Sequence, residues 1–91
     1  MTFNIDKISS AIGSTVRLQI IGLLDKHELS VGEIAEDLKI SQSATSQHLA
    51  KLREADLVVS RKEGQSVYYN LADNGVADFA AQLVNEIDQQ S

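Results

Sequence analysis

The chain has 91 residues, the size of one small domain, and its 43% hydrophobic and 23% charged residues are typical of a globular protein. No apolar run reaches the roughly 20 residues of a membrane span, and the absence of cysteine excludes disulfides, thiolate metal sites and cysteine nucleophiles. The net charge of −5 disfavours nucleic acid as a partner of the whole surface, although residues 41–66 carry +1 against −6 for the rest.

The first two predicted helices follow from apolar spacing. Ile5, Ile8 and Ile12 recur at helical intervals and indicate a short amphipathic helix that ends at Gly13. Ser14 can cap a second helix. One face of that second helix is predicted to be apolar, with Val16, Ile20, Leu23 and Leu24.

A helix-turn-helix pattern follows at about residues 31–55. Ser30 and Glu33 match the capping box that opens a helix. Behind it, all four positions of the i, i+3, i+4, i+7 template are apolar: Val31, Ile34, Ala35 and Leu38. Ser41 is the N-cap candidate of the next helix, which runs to about Ala55. The side chains of this helix that are predicted to face inward are Thr45, Leu49 and Leu52.

After Ala55 the apolar period changes from 3.6 to 2, which predicts a β-hairpin over about residues 57–71. The predicted strands are 57–62 and 66–71, and Glu63-Gly64-Gln65 forms the turn. Tyr68 and Tyr69 point to opposite faces, so we expect one of them in the core.

Asp73 or Asn74 can cap a last helix with an apolar stripe of Val76, Phe79, Ala80, Leu83, Val84 and Ile87. The predicted fold is therefore mainly α with a small β-hairpin, in the order α-α-α-α-β-β-α. This order is typical of a winged helix-turn-helix domain with an extra helix at each end.

The outer face of the predicted 42–55 helix is a candidate DNA-reading surface. It carries short or amide side chains and no acid near its N-terminus: Gln42, Ser43, Ser46 and Gln47, with His48 at the border and Lys51 one turn on. Amides pair with adenine, hydroxyls reach base edges or phosphates, and a helix N-terminus favours phosphate. The alternative interpretation is an ordinary solvated helix face.

The hairpin tip is the second candidate, because Arg61, Lys62, Gln65 and Ser66 surround Gly64. A basic two-stranded wing can contact a phosphate backbone or a minor groove. The alternative is an exposed hairpin that its charges keep soluble, which Glu63 at the tip favours slightly.

Three segments closely resemble the winged-helix repressors of the ArsR/SmtB family: ELSVGEIA at 28–35, SQSATSQHLAKLR at 41–53 and RKEGQSVYY at 61–69. The first two are most similar to the HlyU/BigR-like branch, and the resemblance covers about residues 5–87. It implies a homodimeric DNA-binding repressor that a ligand, where one exists, releases from its operator. It also implies that Gln42, Ser43, Ser46, Gln47 and His48 approach the major groove, with Arg61 and Gln65 on the wing.

Departures from the family pattern bear on regulation. Asp56 stands where the family usually has glycine, although Asp tolerates a left-handed backbone better than most residues. The thiol-sensing branch needs cysteine, which is absent. The metal ligands of the last helix correspond here to Asp73, Gly75, Glu86 and Gln89, so both imidazoles are missing and Asp73 is expected to serve as a helix cap. We therefore expect no cofactor and no response to metals or thiol oxidants.

An enzyme is not expected, and no catalytic residue is assigned. The two histidines, His27 and His48, fall on different predicted helices, and no glycine-rich phosphate loop is present. The acidic residues Glu33, Glu36 and Asp37 share one short helix without a partner that would separate their pKa values, which favours a solvated face.

The terminal helices, about 5–12 and 74–88, offer more apolar surface than one small core requires. We predict that they form a dimer through Ile5, Ile8, Ile12, Phe79, Leu83, Val84 and Ile87. A two-fold dimer places two recognition helices roughly 34 Å apart, one turn of DNA, and predicts a palindromic operator.

The sequence thus predicts a single winged-helix domain over residues 1–91 that binds double-stranded DNA and a second copy of itself, without a membrane partner. The start of the chain lacks a basic stretch followed by an apolar one, so a cytoplasmic location is expected. Two alternatives stay open: a winged-helix protein-interaction module without DNA binding, and a repressor with a non-standard ligand site.

Overall fold

The computed structural model describes the backbone of residues 5–90 and the side chains of residues 6–87. Within this part, five helices and three strands follow in the order α1 (Ile5–Ile12), α2 (Thr15–Lys26), β1 (Leu29–Ser30), α3 (Val31–Leu38), α4 (Gln42–Glu54), β2 (Val58–Glu63), β3 (Ser66–Leu71) and α5 (Gly75–Gln90). The predicted winged helix-turn-helix order is confirmed, with the short strand β1 as an addition. None of these helices combines the length and apolar character needed to cross a membrane.

Side-chain caps set the starts of α2, α3 and α4 as predicted. Ser14 Oγ accepts from the Arg17 backbone N–H at 3.3 Å, and Ser41 Oγ accepts from the Ala44 N–H at 3.0 Å. At α3 the capping box is complete, because Ser30 Oγ accepts from the Glu33 N–H and Glu33 Oε1 accepts from the Ser30 N–H. Each such cap stabilises its helix by about 1 kcal/mol.

The cap of α5 is Asn74, one of the two predicted candidates, and the expectation that Asp73 serves as the cap is wrong. Asn74 Oδ1 accepts from the Ala77 N–H at 2.8 Å, and its Nδ2 donates to the Asp56 carbonyl at 2.9 Å. A capping side chain must reach the N–H groups two or three residues on, and Asp73 lies one residue too early. The same asparagine therefore starts α5 and ties it to the end of α4.

Asp56 ends α4 in the left-handed conformation, with φ of 60°. Its N–H donates to the Arg53 carbonyl at 3.0 Å, and the Leu57 N–H donates to the Leu52 carbonyl at 2.9 Å. These two bonds form a Schellman motif, in which glycine is the usual left-handed residue. The prediction that Asp56 preserves this turn is confirmed.

The three strands form an antiparallel sheet in the order β1-β3-β2. The pairing of β2 with β3 runs from Val58↔Leu71 to Glu63↔Ser66, so the connecting turn is only Gly64-Gln65 and the three-residue turn predicted from the sequence is wrong. Gly64 has φ of 62°, a positive value that the first central position of a type II′ turn requires. Of the two tyrosines, Tyr69 packs against the core, as the alternation predicts.

The core lies between the helices and the inner face of the sheet. The predicted inward residues of α3 and α4 are confirmed, since Ile34, Ala35, Thr45, Leu49 and Leu52 are all buried. On α2, Ile20 and Leu24 are buried as predicted, and Ile21 joins them.

The inward face of α5 differs from the predicted stripe, because it consists of Ala77, Ala80, Ala81 and Val84. An added Cβ at Gly22 of α2 would stand only 3.1 Å from Val84 Cγ1, so the two helices approach closely here. Small side chains permit this approach and larger ones turn outward. Val84 is 7% exposed and belongs to the chain's own core, so its burial does not support its assignment to the dimer interface, which stays a prediction.

Candidate nucleic-acid interface

The orientation of α4 is fixed by its buried side. Thr45, Leu49 and Leu52 recur at helical spacing and are buried, and Thr45 Oγ1 donates to the Ser41 carbonyl at 2.9 Å. This hydrogen bond satisfies the one polar group on that face. The opposite side of α4 therefore points to solvent.

The exposed side of α4 presents the residue types predicted to read DNA. Four of the predicted contact residues are exposed and one, His48, is half-buried at the edge; the exposed ones are Gln42, Ser43, Ser46 and Gln47. Exposure alone does not test contact with DNA, so base readout by these side chains stays a prediction. What the fold supplies is a contiguous polar face on a helix.

The electrostatics of α4 favour an anion along most of the helix. Residues 42–53 contain Lys51 and Arg53 and no acidic residue. The first acid is Glu54, whose carboxylate lies 4.0 Å from Lys51 Nζ in an exposed pair. An exposed pair of this kind contributes little, so Lys51 is available to other anions. The N-terminus of α4 adds the positive end of the helix dipole.

The wing carries two of its predicted contact residues in exposed positions, Lys62 and Gln65. Arg61 is placed differently, because carboxylates of its own chain occupy its guanidinium. Its Nε and Nη2 donate to the two oxygens of Glu28 at 2.7 and 2.6 Å, and Nη1 donates to Glu63 at 2.5 Å. Arg61 is thus not the free wing cation that the sequence predicts.

Glu28 and Asn70 complete this cluster, and sequence reasoning missed both. Asn70 Nδ2 donates to Glu28 Oε2, so one carboxylate accepts from both side chains. The hydrogen bonds from Arg61 and then from Asn70 lower the pKa of Glu28 from the usual 4.5 to about 2. The hydrogen bonds that Arg61 donates to Glu28 and then to Glu63 raise its own pKa above its already high range. The only hint in the sequence is an acid placed two residues before the capping-box serine.

An apolar stripe lies on the outer side of α5. Phe79 is 63% exposed and Ile87 is 49% exposed, with the partly buried Leu83 between them at four-residue spacing. On α1, Ile8 and Ile12 are partly buried against the core, and the side chain of Ile5 lies outside the described residues. The predicted interface residues other than Val84 and Ile5 therefore retain apolar surface on the terminal helices.

Comparison with known proteins decides the family. A model of the bacterial regulatory protein family arsR matches residues 14–60, from the start of α2 into β2. The chain belongs to the ArsR family. Among its relatives is the transcriptional activator HlyU of Vibrio cholerae, 52% identical over 66 residues, which are 72% of this chain and 61% of HlyU. The chain thus spans about three-fifths of the length of this curated relative.

Solved structures agree with this membership in the ArsR family. The transcriptional repressor BigR from Xylella fastidiosa superposes with a TM-score of 0.83 at 28% identity, over 96% of this chain and 86% of that one. The homodimeric winged helix-turn-helix DNA-binding domain of Mb0332 from Mycobacterium bovis gives 0.83 at 30% identity, over 94% and 80%. The family and the relatives matched are transcriptional regulators and not enzymes.

Three of the four residues at the positions of the ArsR-family metal ligands are exposed to solvent in this chain. Asp73, Gly75 and Glu86 are exposed, and the side chain of Gln89 lies outside the described residues. Among the described side chains, no three of His, Cys, Asp or Glu are grouped so that they could hold a metal ion. His27 lies at the C-cap of α2 and His48 on α4, on separate elements of the fold.

The acidic residues of α3 have no arrangement suited to catalysis. Glu33, Glu36 and Asp37 are exposed, and Glu33 is engaged in the capping box of its own helix.

Proposed function

We propose that this ArsR-family chain is a homodimeric, sequence-specific DNA-binding regulator that represses transcription by occupying a palindromic operator. The observation that carries the proposal is the exposed, acid-free face of α4, held outward by the buried Thr45, Leu49 and Leu52. A strongly acidic chain that keeps one helix face free of carboxylates over residues 42–53 has a surface suited to an anionic partner.

In this proposal the helix-turn-helix reads the major groove with the N-terminal half of α4. Gln42 and Gln47 supply amides suited to adenine, and Ser43 and Ser46 supply hydroxyls for bases or phosphates. Lys51 lies one turn further along α4 and provides a cation for the backbone. Lys62 and Gln65 at the tip of the wing contact the neighbouring backbone or minor groove.

The dimer is proposed to form through the terminal helices, with the exposed stripe of α5 at its centre. Phe79 and Ile87 are large apolar side chains that are 63% and 49% exposed in the single chain. The relative Mb0332 is described as homodimeric, which supports the same assembly here. A two-fold axis through this surface relates the two copies of α4 and gives the palindromic site.

One experiment tests base readout. Fragments of the source genome are selected for binding, and the affinity of the best site is measured for the wild type and for Gln47→Ala. Loss of a base contact is expected to weaken the cognate site by about 1–3 kcal/mol and to broaden sequence preference. Gln19→Ala is the matched control, since Gln19 is exposed on α2, which is neither the proposed reading helix nor one of the terminal helices. Readout by α4 is refuted if the two variants bind alike.

The rival function, a protein-interaction module without DNA binding, is favoured by the net charge of −5. The two functions differ in salt dependence. Phosphate contacts make the logarithm of the affinity fall linearly with the logarithm of the salt concentration, by about 0.9 per contact. Failure to enrich any fragment at low salt would favour the interaction module, and a promoter–reporter fusion distinguishes repression from activation.

A further inference from the structure

The contacts of Arg61 connect all three strands of the sheet. Glu28 lies directly before β1, Asn70 lies on β3 and Arg61 on β2, and we call these three residues the wing clamp. Strands β1 and β2 are separated by β3 and so stand roughly 10 Å apart. A long side chain must therefore cross β3 to join them, and the Arg61 guanidinium does so over the ring of Tyr68, 5.0 Å from its centroid.

The wing clamp also links the wing to the helix-turn-helix. Glu28 is two residues before Ser30, whose side chain caps α3. The hairpin contacts this part of the chain through the pairing of β1 with β3, which is only two residues long. The two hydrogen bonds between Arg61 and Glu28 add a direct connection from β2, the outer strand of the wing, to the entry of α3.

The charge balance argues against Arg61 as a phosphate contact. Three of the five N–H donors of its guanidinium are directed at carboxylates of this chain. Two carboxylates, Glu28 and Glu63, face this one cation, so the cluster carries a net negative charge. Lys62 projects to the opposite face of β2, is exposed, and makes no ion pair with the described residues.

We infer that Arg61 is a positioning residue, which fixes the wing against the helix-turn-helix through Glu28, and that Lys62 supplies the charge by which the wing contacts phosphate. The inference rests on the proposed DNA binding. It predicts that removal of an acid at Glu28 weakens binding to a polyanion, the reverse of what simple charge repulsion predicts.

The test compares Glu28→Gln, Arg61→Gln and the double variant on the selected DNA site across a salt series. Each single variant is expected to lose roughly three- to tenfold in affinity, and the double variant no more than either, as for residues that act as one unit. Arg61→Gln keeps the wild-type salt slope, whereas Lys62→Gln flattens it by about 0.9. Glu36→Gln removes the same charge from an exposed site on α3 and is expected to cause no loss.

If Arg61 is instead a phosphate contact that Glu28 restrains, Glu28→Gln binds DNA more tightly than the wild type. Arg61→Gln then flattens the dependence of log affinity on log salt concentration by about 0.9. That pair of results overturns the inference. Amide hydrogen exchange on the protein without DNA provides a readout independent of the proposed function: Glu28→Gln is expected to speed exchange in β2 and to leave α2 unchanged. Unaltered exchange in β2 also overturns the inference, even if the wild type binds no DNA.

Discussion

Replacement of Phe79 by alanine is expected to dissociate the proposed dimer while leaving the fold of each chain intact. Phe79 is 63% exposed, so its ring contributes little to the core of its own chain. A phenylalanine side chain has on the order of 200 Å² of surface, so roughly 125 Å² is open. Burial of that area is worth about 3 kcal/mol at ~25 cal/mol per Å².

A two-fold interface contains each residue twice, so full burial of both rings would be worth about 6 kcal/mol. We halve this figure because association also restricts side chains and desolvates polar groups. The remaining ~3 kcal/mol corresponds to a rise of about two orders of magnitude in the dimer Kd. The monomeric form of Phe79→Ala should unfold at nearly the same urea concentration as the monomeric form of the wild type.

Sedimentation equilibrium over nanomolar to micromolar concentrations measures this Kd. Val59→Ala is the matched control, because Val59 is a large apolar residue that is 50% exposed on β2, away from the terminal helices. Binding to one half of the palindrome should be similar for both variants, and binding to the whole site should weaken only for Phe79→Ala. The reasoning is refuted if Phe79→Ala is as dimeric as Val59→Ala, or if the wild type sediments as a monomer at micromolar concentration.

Three further predictions concern stability and regulation. Asp56→Gly is expected to raise the free energy of unfolding by about 0.5–1 kcal/mol, because Asp56 has φ of 60° and glycine adopts that conformation without a Cβ penalty; thermal melts check this, and a lower Tm contradicts it. The pKa of Glu28 is lowered from 4.5 to about 2, so its contribution to stability is complete above pH 4.5 and is lost as the pH falls through about 2. Urea unfolding at pH 6 and pH 3 should therefore show a smaller acid-induced loss in the free energy of unfolding for Glu28→Gln than for the wild type. Equal losses would argue against the Arg61 contact as the cause of the lowered pKa. Micromolar zinc, cobalt or nickel, and separately peroxide or polysulfide, should leave the DNA affinity unchanged at fixed ionic strength; a tenfold loss with a metal, abolished by Asp73→Ala or Glu86→Ala, would reveal a sensing site.

Features that depend on a few neighbouring residues could be predicted from the sequence. The caps at Ser14, Ser30 and Ser41 act over three residues, so their hydrogen bonds require only the local helix. The inward positions of α4 likewise follow from its period of 3.6 residues. For the same reason the candidate reading face of α4 was predictable, because fixing the buried side of a helix also fixes its exposed side.

The tertiary structure decided which side of α5 turns inward. The sequence offers large apolar residues on one side of that helix and alanines on the adjacent one, and both fit a helical period. The two helices approach closely where Gly22 meets Val84, and the remaining inward positions of α5 are alanines, so Phe79 and Ile87 face outward. Helix spacing depends on both partners, and the pattern of a single helix does not contain it.

The tertiary structure also decided the role of Arg61. In the sequence it is one basic residue in a hairpin, next to Glu63, and its other carboxylate partner is 33 residues away. Strand β1 is two residues long, too short for a period of two to be visible, so nothing in the sequence places Glu28 beside the wing. The sequence determines which charges exist, and long-range pairing of strands determines which of them neutralise each other.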